Sequence, residues 1–201
     1  MNDGRTEPRR PLSAPGRVKE VTSVSNPIVK SIRNLAMRKT REETGLFMAE
    51  GLKLVFDALE AGWKIDTLIV SRNQLADSPH LTRAAARTVA AGADVLEASD
   101  KVLAAISRRD NPQPAIGVFR QHLADLPSLD LGKDGLVVAL DRVRDPGNLG
   151  TILRTADAAG VKGVVLIGDT VDPFSLEAVR ATMGSILSLI HISEPTRLRR
   201  I

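Results

Sequence analysis

The chain has 201 residues, 43% hydrophobic and 26% charged, with a formal net charge of +4. With no cysteine and only three histidines, it has no disulfide and no thiolate metal site; no metal is expected, and the composition suits a reducing compartment, the cytoplasm. Four Phe, one Trp and no Tyr are too few for an aromatic platform on which single-stranded nucleic acid could stack, and no apolar run is long enough to span a membrane.

Residues 1–17 are polar, rich in Pro and Arg, and lack the apolar core of a signal peptide, so they read as a disordered basic arm. Residues 1–45 hold ten Lys and Arg against five acids, leaving +5, more than the whole chain carries. A basic end on a nearly neutral body points either to a polyanionic partner or to a solubilising surface. Residues 26–37 alternate at helical spacing, with Ile28, Val29, Ile32, Leu35 and Ala36 on one side and Lys30 and Arg33 on others. Arg38-Lys39-Thr40-Arg41 follows as a basic turn. Lys30, Arg33, Arg38, Lys39 and Arg41 are the candidate contacts to RNA phosphates.

Leu46–Ala49 is short and apolar. Glu50–Leu59 reads as a helix ending near Gly62, Ile65–Val70 as a strand, and Leu81–Ala90 as a helix bounded by Gly92. Val95-Leu96 is a brief strand, Ser99 caps a helix through Ile106, and Ala115–Phe119 is a last strand. Strands and helices alternate over short connections, which defines an α/β domain over residues 18–122. Gln121–Gly135, with Pro127, two glycines and no periodicity, places a linker at residues 123–135.

Leu136–Leu140 and Val164–Ile167 are apolar runs on either side of a turn, Asp145-Pro146-Gly147, and a helix from an Asn148 cap to a Gly160 stop. This is one βαβ unit. Leu149, Ile152, Leu153, Ala156 and Ala159 share a helical face and Arg154 points the opposite way. A helix N-terminus and an arginine therefore stand at the carboxyl end of a strand, where open α/β sheets place ligands. An ordinary crossover with a solvent-facing arginine accounts for the same residues. The spacing Gly147…Gly150 gives neither G-x-G-x-x-G nor a lysine-bearing phosphate loop, which disfavours a nucleotide-binding Rossmann enzyme. Beyond the loop Gly168-Asp169-Thr170, Ser175 caps a helix through Met183. Arg180 on that helix is either an exposed charge or a phosphate contact.

The string Asp145-Pro146-Gly147-Asn148-Leu149-Gly150-Thr151-Ile152-Leu153-Arg154-Thr155-Ala156 resembles the first signature motif of the SpoU branch of the SPOUT RNA methyltransferases. Val179-Arg180-Ala181-Thr182-Met183-Gly184-Ser185 resembles the family's next signature segment. The resemblance implies methyl transfer from S-adenosylmethionine to a ribose 2′-hydroxyl of ribosomal or transfer RNA, in a knotted α/β domain working as a homodimer. It places Arg154 at the ribose, lets Asn148 orient the arginine or the ribose, and sets Arg180 near the substrate. A guanidinium, with a pKa above about 12, is a poor base, so Arg154 is expected to bind the neighbouring phosphate and stabilise the developing alkoxide. The stretches Ser25–Lys30, Arg38-Lys39 with Arg41, Phe47-Met48-Ala49-Glu50-Gly51 and Asn111–Pro114 resemble the small substrate-binding domain that precedes SpoU domains, with a fold like that of certain RNA-binding ribosomal proteins. For Glu50 an RNA role and a helix-start role stay open.

Leu187–Arg197 resembles the translation of a transposon-type sequencing adapter. On that reading residues 187–201 are foreign, residues 136–186 are a partial methyltransferase domain, and the family's third motif is absent, so cofactor-binding residues are unassigned. The 201-residue chain is then expected neither to bind S-adenosylmethionine nor to transfer methyl groups. A C-terminal strand over residues 186–192 is the alternative. The expected fold is thus a small α/β substrate-binding domain followed by a truncated α/β knot domain. The expected function is RNA 2′-O-methylation, with an RNA-binding module lacking catalysis as the competing reading.

Overall fold

The computed structural model describes residues 15–124 and 135–194; residues 1–14 of the expected basic arm, most of the linker and the end of the adapter-like segment lie outside them. The last residues of the expected arm are held in place, Gly16 N–H donating to the Val89 carbonyl and Arg17 N–H to Asp94 Oδ1. The first part is a five-stranded mixed sheet built from β1 (Val18–Val21), β2 (Leu46–Glu50), β3 (Ile65–Ser71), β4 (Asp94–Ala98) and β5 (Ala115–Arg120), in the order β1-β4-β3-β5-β2. β1 and β3 run parallel to β4; β5 runs antiparallel to β3 and β2.

Alternation along β3 explains its layers, because successive side chains of a strand point to opposite faces. Ile69 joins Val29, Ile32, Leu103 and Ile106 beneath α1 (Pro27–Asn34) and α6 (Asp100–Ser107). Leu68 and Val70 join Val55, Leu81 and Ala84 beneath α3 (Leu52–Glu60) and α5 (Pro79–Ala90). Two further helices, α2 (Arg38–Thr44) and the short α4 (Arg72–Leu75), lie at the sheet ends.

The second part is a parallel sheet, β6 (Val137–Asp141), β7 (Gly163–Ile167) and β8 (Ile190–Glu194), in that order. α7 (Pro146–Ala158) and α8 (Leu176–Thr182) cover it through Leu149, Leu153, Ala156, Val164, Leu166 and Ala178. Of the apolar face expected for α7, Leu149, Leu153 and Ala156 are buried and Ala159 is exposed. Residues 185–187 form a turn of 3-10 helix before β8, whose register pairs Gly163 with Ile190 and Ile167 with Glu194.

Four local expectations change. The basic turn at 38–41 is the start of α2. Glu50 ends β2, and Gly51, at φ 114°, starts α3, a backbone conformation that glycine alone adopts without strain. β1 and α4, too short to show periodicity, were not expected. The cap of α7 is Asp145, whose carboxylate accepts the Asn148 N–H at 2.6 Å, so the helix begins at Pro146 with proline in its favoured first-turn position.

The two parts meet where α8 lies along β2. Phe47 of β2 packs on Phe174 at 4.8 Å between centroids, and Trp63 closes the cluster while donating its indole N–H to the Leu187 carbonyl. Three of the four phenylalanines, Phe47, Phe119 and Phe174, are buried in this seam.

Candidate functional site

The carboxyl ends of β6 and β7 carry the loop that opens α7. Asp141 is clamped by Arg142 at 2.6 Å, and the guanidinium hydrogen bond holds the carboxyl below its ordinary range and raises Arg142. Arg142 sits at φ 54° and donates its N–H to the Ile167 carbonyl, while Val171 N–H returns to the Val143 carbonyl. These bonds tie the motif loop to the Gly168–Thr170 loop, and Arg144 pairs with Asp169 at 3.3 Å across them.

Arg154 is exposed two turns into α7. Its guanidinium leans toward the helix N-terminus, as helical side chains do, reaching Thr151 Oγ1 at 3.4 Å and donating to Met183 Sδ at 3.2 Å. No carboxylate pairs with it among the described residues. Met183 is 68% exposed and caps α8 in the left-handed region at φ 52°. Gly150 makes this approach possible. A Cβ there would stand 2.3 Å from Ala181 Cβ and 2.6 Å from its carbonyl carbon, so the helices touch backbone to backbone where α7 crosses α8. Asn148 is exposed on the first turn, near Asp145 and the helix N-terminus, whose partial positive charge favours an anion.

Arg180 faces the first domain. Its Nε and NH2 donate to Glu50 Oε2 at 2.8 and 2.6 Å, and NH2 also donates to the Ser107 carbonyl at 2.7 Å. The Glu50 carboxylate, 2% exposed, further accepts the Gln113 N–H, with Arg109 at 3.9 Å. A cleft of about 280 Å³ lies here, lined by Glu50, Lys53, Leu54, Arg109, Arg180 and Met183. At the other end of the seam Arg41 is buried. Its Nε and NH2 donate to Asp172 Oδ2 at 2.8 and 2.7 Å, and NH1 donates to the Leu35 carbonyl. The seam is thus closed at one end by a cation from the first domain and at the other by an anion from it.

The expected basic surface is reshaped accordingly. Lys30 and Arg33 are exposed on α1. Arg38 and Lys39 are exposed but paired one turn on with Glu42 and Glu43, at 2.7 and 3.8 Å, and the Glu42 hydrogen bond raises Arg38 further. Arg41 departs from the expectation: its charge is consumed by Asp172 and its side chain is only 4% exposed. For Glu50 the expected alternatives were an RNA contact or a helix start, and the structure makes it the partner of Arg180; Met183, Gly150 and Asp172 were not singled out as functional, because their partners lie far away in the chain. Gly150 and Met183 lie in the two signature strings and Glu50 in the Phe-Met-Ala-Glu-Gly string; only Asp172 lies in none of them.

Among the described residues no group of three or more His, Asp or Glu is placed to hold a metal ion, and no helix is long and apolar enough to cross a membrane. The edge formed by Ile167, Gly168, Asp169 and Thr170 presents one exposed apolar side chain and one carboxylate. Neither the cleft above nor a second cavity of about 590 Å³ beside Trp63 and His122 is lined by that edge.

Residues 26–117 match the MRM3-like substrate binding domain and residues 135–199 the SpoU rRNA methylase family. A crystal structure of an rRNA methyltransferase from Sinorhizobium meliloti is 55% identical and superposes with a TM-score of 0.83 over 90% of this chain and 67% of that one. A structure of AdoMet-bound rRNA methyltransferase from the same organism, also 55% identical, gives a TM-score of 0.82 over 89% and 66%. The 23S rRNA (guanosine(2553)-2'-O)-methyltransferase RlmP of Bacillus subtilis is 32% identical over 84% of this chain and 62% of its own length. The chain spans about three fifths of the length of the curated relatives it matches.

Proposed function

The chain belongs to the SpoU rRNA methylase family, with an MRM3-like substrate-binding domain ahead of its methylase domain, and from that premise we propose that it serves methyl transfer from S-adenosylmethionine to a ribose 2′-hydroxyl of ribosomal RNA. The observation that carries this reading is Arg154: an exposed guanidinium with no carboxylate partner among the described residues, aimed toward the N-terminus of α7 at the carboxyl edge of a parallel sheet.

When bound, the cofactor supplies an electrophilic methyl group on a sulfonium. The chain's own residues act on the RNA. Arg154 binds the phosphate next to the target ribose and stabilises negative charge developing on the hydroxyl oxygen as its proton passes to solvent water. Asn148, on the first turn of α7, orients the ribose. Lys30, Arg33, Arg38 and Lys39 make backbone contacts that position the strand without reading its sequence, and Arg180 contributes its remaining N–H groups at the domain boundary. A homodimer formed through the methylase domain belongs to this reading, with Leu136 and Ile167, 55% and 39% exposed, supplying apolar surface. So does a cytoplasmic setting, which the lack of cysteine supports.

The test is incorporation of labelled methyl groups from S-adenosylmethionine into 23S rRNA, with the modified ribose mapped. Because the relatives are longer, it is run on this chain and on a chimera that continues after Ile186 with the matching segment of the Sinorhizobium meliloti protein. Transfer by the chimera, reduced more than tenfold by Arg154→Ala with the melting temperature unchanged, is expected; a tenfold loss corresponds to about 1.4 kcal/mol in the barrier. RNA binding with no transfer by the chimera overturns the proposal in favour of a non-catalytic RNA-binding module.

A further inference from the structure

We propose that the cleft between the two domains, walled by Lys53 and Arg109 on one side and Arg180 and Met183 on the other, binds a backbone phosphodiester of the RNA strand next to the nucleotide held at Arg154. The inference rests on the RNA reading above, and it adds residues that neither signature motif contains.

The charge inventory comes first. Glu50 is buried and already committed to Arg180 and to the Gln113 N–H. Arg109, 47% exposed, reaches the same carboxylate only at 3.9 Å, so one anion faces two guanidinium groups. Lys53, 82% exposed, leans on Asp57 at the rim. Arg154 adjoins the cleft through its contact with Met183 Sδ. Among the described residues Lys53, Arg109 and Arg180 pair only with Asp57 and Glu50, and Arg154 with no carboxylate, so the surplus is positive. An anion fits this, and its donors would be fork-shaped guanidinium groups suited to phosphate oxygens.

The geometry adds direction. Arg180 is fixed by three hydrogen bonds through Nε and NH2, which leaves NH1 without a bond among the described residues. Leu54 and Met183 supply an apolar wall, against which a ribose can lie. The backbone is held in costly conformations at both lips. Arg108, next to Arg109, and Met183 are two of the three non-glycine residues with positive φ among the described residues, at 57° and 52°, and such strain gathers at ligand sites. The cleft exists only because α8 docks on the first domain, so Glu50 is a positioning residue here: it aims Arg180 and is not expected to touch the RNA.

Binding of a fluorescein-labelled single-stranded RNA oligonucleotide to the full 201-residue chain, followed by anisotropy across a salt series, tests this. Each phosphate contact to a single strand contributes about 0.7 to the slope of log affinity against log salt. The double variant Lys53→Ala/Arg109→Ala is expected to flatten that slope by about 1.4 and to weaken binding about tenfold at low salt, with unchanged melting and Trp63 emission. The control Lys101→Ala/Lys162→Ala removes the same charge from exposed positions outside the cleft and is expected to change the slope far less. An equal effect of the control overturns the subsite, since general charge would then explain the loss. If Lys30→Ala/Arg33→Ala weakens binding while the cleft variant does not, the subsite fails and the RNA reading stands. If the unaltered chain binds no RNA, both fail.

Discussion

Glu50 and Arg180 are separated by 130 positions and share a 2.6 Å ion pair in which the carboxylate is 2% exposed. Eight residues before Arg180, Asp172 takes the opposite charge role against Arg41. The two bridges have reversed polarity, with apolar Phe47, Phe174 and Val179 between them. Sliding α8 along β2 would bring like charges together at a boundary of low dielectric, so the pairs set register as well as adding attraction.

Removing Arg180 leaves the buried Glu50 carboxylate only the Gln113 N–H and Arg109 at 3.9 Å, and removing Glu50 leaves the partly buried Arg180 without its carboxylate. Arg180→Ala and Glu50→Ala are each expected to cost about 2 kcal/mol, less than for a fully buried pair because Arg180 keeps 22% exposure. The double variant is expected to cost little more than either alone. Urea denaturation of the four proteins gives the coupling; additive losses would show that the contact is energetically idle.

Arg41→Ala is expected to behave as a stability variant, not an RNA variant. It strips the partly buried Asp172 of its cation and the buried Leu35 carbonyl of its donor, and should lower stability by about 3 kcal/mol. The salt slope of RNA binding, measured where the variant is still folded, should stay at the unaltered value. A slope that drops as it would for an exposed lysine would return Arg41 to the RNA-contacting set.

Gly150→Ala should destabilise although alanine is the better helix former by about 1 kcal/mol. The added methyl would meet Ala181 Cβ at 2.3 Å and backbone atoms at 2.6 and 2.7 Å, and overpacking of this kind costs about 1–3 kcal/mol. Thermal melting decides the sign, and Ala181→Gly in the same chain should recover part of the loss. A rise in melting temperature on Gly150→Ala would mean that the helices separate easily.

Acid should loosen β1. Burial raises the Asp94 carboxyl, but the Arg17 N–H bond and Lys19 at 3.0 Å outweigh it and bring the group below its ordinary range. A carboxyl with a depressed folded-state pKa stabilises the fold above the unfolded-state value and loses that contribution as pH falls through the folded-state one. Asp94→Asn should therefore melt lower at neutral pH, by about 1 kcal/mol for a pair of this exposure. The gap should close on acidification through the carboxylate range. A gap that is constant with pH would place its origin outside this titration.

The chain by itself determined what local physics can encode. Leu149, Leu153 and Ala156 recur at helical spacing, so the buried face of α7 was legible, as was the outward position of Arg154. Ser175 and Gly160 mark helix ends because capping and left-handed backbone are properties of one or two residues. Alternating strands and helices were enough for the α/β class, and two long motif strings were enough for the family. Tertiary structure alone decided which charges are spent. Arg38, Lys39 and Arg41 look alike in the sequence, yet two pair with glutamates one turn on in exposed positions and the third is buried against Asp172. Glu50 read as a helix start or an RNA contact and is an anchor for Arg180; Gly150 read as one glycine of a signature string inside a helix and is a point of backbone contact. The reason is that a charge or a missing side chain acquires its role from what stands opposite it. Here the partners are contributed by another domain or another helix, at separations that no local pattern records.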